Sequence, residues 1–282
     1  MNTRYLNVGS WNIEHYGAAN HDNNVFALAE HIEMAGCDIL VLQELYVTSD
    51  EGRQNKFLAE ALALVKEHTG RHWKYEIFAN RFNNDTEQLC GVAWDADRVE
   101  HQGTFPIPVK FRKSYRGRQY WLWDRWPHAV KFSAGEGKTD LIVVSLHMKA
   151  NTAPPAIVRK TREMEVLTLL DQLDKIKEHF EGEEDIIFLG DTNCKNNREK
   201  AIEAFVDAGF EDLNEDDITT YFKGDEAPFD RIFIPNREER KAFRYSRQYI
   251  LRAADPMSHD RYLSDHYVVK TSVKVVNDDD NP

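Results

Sequence analysis

Short, uninterrupted apolar runs that stop abruptly at a carboxylate, an amide or an imidazole recur along this chain and leave few folds open to it. Ile186-Ile187-Phe188-Leu189 is followed at once by Gly190-Asp191-Thr192-Asn193. Asp38-Ile39-Leu40-Val41-Leu42 ends likewise at Gln43-Glu44, and the run from Leu141 ends at His147. An apolar run bounded by Gly or Asp suits a strand covered on both faces, and layered α/β folds present reactive groups at the carboxyl ends of such strands. Asp191 and Asn193 are two residues apart, so in extended geometry both side chains would point to one side of the chain. Gly-Asp-x-Asn taken alone is equally an ordinary turn or a helix N-cap. Repetition is what gives it weight.

Residues 4 to 12 alternate as a half-buried strand leading into Asn12-Ile13-Glu14-His15. Asp22 and Asn23 are placed to cap a helix carrying Val25, Phe26, Leu28, Ala29 and Ile32 that ends near Gly36. A second helix carries Phe57, Leu58, Ala61, Leu62 and Val65 and closes at Gly70. Trp73 to Ala79 and Leu89 to Trp94 read as strands, with Asn83-Asn84-Asp85 as the turn between them. His128 to Ser133 and Leu141 to His147 are strands around a Gly135-Glu136-Gly137 turn. After Pro154-Pro155 the longest helical pattern runs from Ile157 to Phe180, its charged face (Arg159, Lys160, Arg162, Glu163 and Glu165) read as solvated. A further helix spans Asn197 to Ala208, and the last strands are Arg231 to Ile234 and Tyr267 to Val275. With no internal repeat and no linker, the expectation is one domain over residues 1–276 and an acidic, frayed tail over 277–282.

No apolar stretch approaches the ~20 residues of a membrane helix, and the first residues lack the charged and apolar regions of a signal peptide. Cys37, Cys90 and Cys194 are odd in number and share no close spacing, against a disulfide framework or zinc site. A cytoplasmic location fits best. The oligomeric state is not legible.

Six runs deliver polar residues at their edges: Asn12 with Glu14, Glu44, His147, Asp191 with Asn193, Asp230, and Asp265 with His266. Carboxylate and amide oxygens without cysteine are what a hard cation such as Mg²⁺ or Mn²⁺ prefers. Two histidines near carboxylates could supply a base and an acid with an ordinary pKa near working pH. Hydrolysis of a phosphate ester is the natural expectation.

Trp11-Asn12-Ile13-Glu14, Leu42-Gln43-Glu44, Ser145-Leu146-His147, Leu189-Gly190-Asp191-Thr192-Asn193, Phe229-Asp230-Arg231-Ile232 and Leu263-Ser264-Asp265-His266 occur in an order that resembles the endonuclease/exonuclease/phosphatase superfamily. The resemblance implies a four-layered α/β sandwich, two packed mixed β-sheets flanked by helices, and a divalent-metal-dependent phosphoesterase. It implies Glu44 as principal metal ligand, with Asn12 and Asp265 close by and Glu14 as an extra ligand. His266 would be the base acting on water, oriented by Asp230. Asp191 and Asn193 would position water and phosphate oxygens, and His147 would contact phosphate and assist the leaving oxygen.

Asp124 to Ser133 resembles the Arg-x-Pro-x-x-Val-Lys-Phe strand of the deoxyribonuclease I branch, which gives Arg125 a contact with the DNA backbone. Glu87 stands for the carboxylate that this branch pairs with its first catalytic histidine, here His147. Gly-Asp-Thr-Asn followed by Phe-Asp-Arg-Ile-Phe also resembles the tyrosyl-DNA phosphodiesterases, which keeps DNA-end adducts or small phosphoesters as a second substrate class. The signatures of inositol polyphosphate 5-phosphatases are missing.

Although the formal net charge is -12, residues 110 to 126 carry Lys110, Arg112, Lys113, Arg116, Arg118 and Arg125 against Asp124 alone. Trp121 and Trp123 are interleaved with them, on one face of an expected strand. Cations for phosphates beside aromatic faces for bases suit a nucleic acid, DNA above all. The alternative is that these tryptophans pack beneath a flap. From a different class, the fold could serve as a non-catalytic binding module.

Overall fold

A strand with apolar side chains on both faces must be covered twice, and this chain meets the demand with four layers. The computed structural model describes residues 5–49, 52–81 and 88–278. In the first sheet, β1 (Tyr5–Tyr16), β2 (Ile39–Leu45), β3 (Trp73–Ile77), β4 (Leu89–Asp95), β13 (Tyr249–Leu251) and β14 (Val268–Lys274) lie in the order β13-β14-β1-β2-β4-β3. In the second, β5 (Glu100–Pro106), β8 (His128–Ser133), β9 (Asp140–His147), β10 (Ile186–Asp191), β11 (Phe210–Asp212) and β12 (Asp230–Pro235) lie in the order β11-β12-β10-β9-β8-β5. β6 (Arg112–Tyr115) and β7 (Arg118–Trp121) form a separate hairpin. Both large sheets are mixed: β1 with β2 and β9 with β10 are parallel, and the other pairs are antiparallel.

The core follows from strand alternation. Ile187 and Leu189 of β10 join Val8, Val41, Val143 and Ile232 in the cluster between the sheets. Ile186 and Phe188 turn outward to meet Met164 and Leu169 of α3 (Pro155–Leu170) and Phe205 of α5 (Lys200–Asp207). On the first sheet, Leu40 and Leu42 face outward against Leu28 and Ile32 of α1 (Val25–Ala35) and Leu58 and Ala61 of α2 (Lys56–Thr69). Continued along each strand, the inward series Val8-Ser10-Asn12, Val143-Ser145-His147 and Ile187-Leu189-Asp191 brings Asn12, His147 and Asp191 out at one end of the sandwich.

Three local expectations differ. Asn24 caps α1: its Oδ1 accepts the Ala27 N–H at 3.0 Å, while Asn23 is engaged by the Gly17 N–H. The long helical pattern splits at Asp171 and Gln172 into α3 and α4 (Leu173–His179), yet Ile176 and Phe180 still reach the cluster of Met164 and Leu169. The face read as solvated is partly interior, with Arg162 1% and Glu165 0% exposed. β5, β11, β13 and α6 (Pro256–Tyr262) carry no apolar period strong enough to announce them. Past β14, Asn277 still pairs with Lys138. The expected turn at Asn83-Asn84-Asp85 and residues 279–282 lie outside the described residues.

Candidate active site

The strand ends depart from regular geometry where side chains are needed. Alternation after Val41 and Gln43 would turn Glu44 outward, but the register shifts between Leu42 and Leu45, and Glu44 takes a φ of 64°. Its carboxylate thereby lines a cleft of about 630 Å³. β1 bulges likewise between Asn12 and Tyr16, with φ of 36° at Glu14 and 53° at His15, and Asn193 sits at 55°. Such left-handed backbone costs on the order of 1–3 kcal/mol per non-glycine residue and gathers where side chains must be aimed.

Asp191 is central to the cleft. Sheet register sets His147 beside it on β9 and Asp230 beside it on β12. Asn12 Nδ2 donates to Asp191 Oδ2 at 3.1 Å and to Glu44 Oε1 at 3.2 Å, so one amide holds two carboxylates together while its oxygen accepts the Glu14 N–H. His147 Nε2 lies 3.8 Å and His266 Nε2 4.0 Å from the same Asp191 oxygen. His266 Nδ1 is 2.7 Å from Asp230 Oδ2, the geometry of an imidazole oriented by a buried carboxylate. His266 is held further by its backbone: Trp11 Nε1 and His259 Nε2 both lie 3.1 Å from its carbonyl oxygen. Asn193 lines the cleft while its N–H is accepted by Asp191 and its amide donates to the Met148 carbonyl.

The two histidines are driven apart electrostatically. Burial pushes His147 well below the ordinary imidazole range, and the nearby cations Arg125 and His266 add to this. Burial also opposes the charge on His266, but Asp230, then Asp191 and Asp265, outweigh it and raise its pKa to about 10. Burial lifts Asp191 to about 6 and Asp265 to about 7. One imidazole is therefore neutral and the other cationic near neutral pH. Because the folded pKa of His266 exceeds its unfolded value, its stabilising contribution is complete below about pH 6.5 and is lost as pH rises through about 10. Melting temperature measured across that window is expected to fall in the wild type, and Asp230→Asn should flatten the fall. An unchanged slope would show that this pair is not its source.

Glu14 and Asp265, the remaining residues expected from the strand ends, line the cleft with Glu44, His147, Asp191, Asn193 and His266, while Asn12 and Asp230 are buried and do not line it. Asp260, which does not itself line the cleft, groups with Glu14 and Asp265, the three offering oxygens within 4.8 Å of one another. The Lys223 ammonium lies 2.9 Å from Asp260 and 3.3 Å from Glu14. Arg125 lines the same cleft. Glu87, the expected partner of His147, lies outside the described residues.

Residues 110 to 126 divide. Arg112, Arg116, Arg118 and Trp121 sit on the exposed β6–β7 hairpin and do not line the cleft. Trp123 is a correction: it is 0% exposed, its N–H bonds Glu165 at 2.8 Å and its indole bonds Thr168 at 3.2 Å. With φ at 56° it leaves the strand that would have set it beside Trp121, so it is core and not a stacking surface.

Several cleft residues were not legible beforehand. Gln88 Nε2 donates to Glu44 Oε2 at 2.6 Å, and the His15 N–H donates to the same oxygen at 3.2 Å. Adjacency of His15 to Glu14 was the one available signal. Tyr221, whose ring centre lies 5.0 Å from that of His266, and Lys223 come from a loop without periodicity. All three cysteines are buried, and burial raises the Cys194 thiol to about 12, in keeping with a bystander.

No protein-family model and no curated protein matches the sequence. Solved structures do match. The endonuclease/exonuclease/phosphatase family protein from Leptotrichia buccalis C-1013-b has a TM-score of 0.63 at 15% identity, covering 95% of this chain and 99% of that one. The human Nocturnin catalytic domain with bound sulfate anion has a TM-score of 0.61 at 15% identity, covering 99% and 97%. D. rerio TDP2 complexed with single strand DNA product has a TM-score of 0.58 at 14% identity, covering 95% and 98%. At such identities the likeness is one of fold.

Proposed function

From a chain with the endonuclease/exonuclease/phosphatase fold, we propose a metal-dependent phosphodiesterase that hydrolyses nucleic acid, DNA first, by in-line attack of water. The observation that carries this reading is the convergence of two imidazoles, one of them oriented by the buried Asp230 carboxylate, on one oxygen of Asp191 in an open cleft. His266, oriented by Asp230, takes the proton of the attacking water. The carboxylates around His266 hold it protonated, and whatever offsets their charge returns it toward the range of a base. Asp191 and Asn193 position water and phosphate oxygens. Neutral His147 contacts the phosphate and assists the leaving oxygen as an N–H hydrogen-bond donor, the leaving oxygen taking its proton from solvent, and Arg125 meets a neighbouring backbone phosphate.

The donor set fits Mg²⁺ or Mn²⁺: all oxygen, with Glu14 and Asp265 converging where the Lys223 ammonium already lies, and Glu44 in the same cleft. Bound there, a divalent ion supplies charge that polarises the phosphoryl oxygen. Three buried thiols suit a reducing, cytoplasmic location. No helix among the described residues is long and apolar enough to cross a membrane.

The hairpin supports nucleic acid as the partner. Among the described residues Lys110, Arg112, Lys113, Arg116 and Arg118 take part in no ion pair. Trp121 is 57% exposed, with the Arg112 guanidinium 5.7 Å from its ring centre. Replacing Arg112, Arg116 and Arg118 together with Ala is expected to weaken DNA binding and lower the salt slope by about 3. Unchanged affinity and slope would return the hairpin to a packing role.

A panel of labelled duplex, single-stranded, abasic and end-blocked DNA beside RNA, with and without chelator, tests the reading. Chelator-sensitive cutting of duplex DNA supports the nuclease. Faster release of a 5′-tyrosyl block favours the end-processing alternative, which the TDP2 likeness keeps in view. No turnover of any substrate with Mg²⁺ or Mn²⁺ would leave a binding module.

A further inference from the structure

α3 buries two charged residues that do not themselves line the cleft and touch no expected ligand. Glu165 has one carboxylate oxygen on the Trp123 N–H at 2.8 Å and the other on the Lys149 N–H at 3.0 Å. Arg162, one turn away, donates from Nη1 to the Lys149 carbonyl at 3.0 Å and to Asn151 Oδ1 at 3.2 Å. The peptide groups of Lys149 are thus held from both sides. Arg162 also bonds Glu199 at 2.7 Å, and Glu199 accepts the Lys195 N–H at 2.8 Å. Asn151 closes the figure by donating to the Asn193 carbonyl at 3.0 Å.

These bonds tie one helical turn to three loops of the site. The first follows β7 and carries Arg125; the second follows β9, beginning beside His147; the third follows β10 and carries Asn193. Packing alone does not account for the choice of residues. Glu165 is 0% exposed and has no cation within ion-pair distance among the described residues, and burial raises its carboxyl to about 7. An apolar side chain would fill the space without the desolvation cost of a carboxylate, and buried ion pairs such as Arg162–Glu199 add little stability over apolar replacements. What the two charged groups add is direction, because each peptide group they hold fixes where the next side chain leaves the backbone.

We propose that Arg162 and Glu165 are positioning residues, acting through the backbone of Lys149 and Trp123 to hold His147 and Arg125 in place over the scissile phosphodiester. This rests on the phosphodiesterase reading of the cleft, and the test separates the two. Glu165→Gln preserves volume but turns an amide N–H₂ toward a backbone N–H. Arg162→Lys keeps charge but loses the fork. Each is compared with wild type in the full chain, using bis(p-nitrophenyl) phosphate with Mg²⁺ for kcat and KM. Amide hydrogen exchange is followed in parallel without metal.

In Glu165→Gln, kcat is expected to fall about 10- to 100-fold with KM within about threefold, since a displacement on the order of 1 Å in a catalytic group acts on the transition state. The Trp123 and Lys149 amides should exchange faster while β9 stays protected, and Arg162→Lys should lie between wild type and Glu165→Gln. A folded Glu165→Gln protein with wild-type kcat, or exchange rising throughout β9, would overturn the proposal. Should wild type turn over no phosphodiester, the functional reading falls and exchange alone decides: unchanged protection at those two amides overturns the clamp, selective loss upholds it.

Discussion

His266→Ala is expected to lower phosphodiester turnover by about 10³-fold while leaving the fold intact. His266 is the cleft imidazole that a buried carboxylate orients, with Nδ1 at 2.7 Å from Asp230 and its carbonyl tied to Trp11 and His259. Alanine removes the ring but leaves the backbone anchors; because it also strips the buried Asp230 carboxylate of its partner, the melting temperature should fall while the fold is kept, and activity is compared below that lowered melting point. Asp191→Ala and Glu44→Ala should each abolish plasmid nicking as well, because Asp191 lies between both imidazoles and Glu44 is held by three donors facing the cleft. Residues acting as a unit lose activity non-additively, so His266→Ala with Asp230→Ala should be scarcely worse than His266→Ala alone. Initial rates on plasmid at saturating metal measure all of these. Near wild-type rates in two of the three single variants would mean the chemistry is elsewhere.

Gly190→Ala should destabilise the protein by more than about 3 kcal/mol, because steric conflict and forbidden backbone act together. A Cβ at position 190 would stand 2.0 Å from the Leu146 carbonyl oxygen, and φ there is +148°. That carbonyl belongs to the neighbouring parallel strand, in direct register with Gly190. Relief would require β9 and β10 to part between His147 and Asp191, so activity should fall with stability. Gly117→Ala is the control: it too has positive φ, at 76°, but nothing within 4 Å of a Cβ, and should cost only about 1 kcal/mol. Urea unfolding of both variants measures the contrast, and equal losses would remove steric conflict as the cause.

Much of the architecture was legible because strand alternation is a local property. Both-faced apolar runs required layers on each side, and the positions where they stopped brought Asn12, His147 and Asp191 to one end of the sandwich. The ordered motifs supplied Asp230, Asp265 and His266, which come from short or irregular segments with little periodicity of their own. The split of the long helix into α3 and α4 was less visible, since Ile176 and Phe180 keep their core spacing across the break.

Other features depended on residues distant in sequence. Glu44 reaches the cleft through a bulge that alternation argues against, and Gln88 finds it from another strand end. Trp123 and Trp121 look alike in composition, yet one is sealed against α3 and the other faces solvent. Arg162 and Glu165 have the spacing of a solvated helical face, and only the loops folded over α3 turn them inward. The same holds for protonation: His147 and His266 are chemically identical in the chain, and burial against one and carboxylates around the other set them apart. Backbone geometry and apolar periodicity are written residue by residue, so they specified the layers and the strand ends. Desolvation and charge pairing arise only when segments more than a hundred residues apart close on one another, as Asn12 and Asp191 do, and so the aim and protonation of the cleft came with the fold.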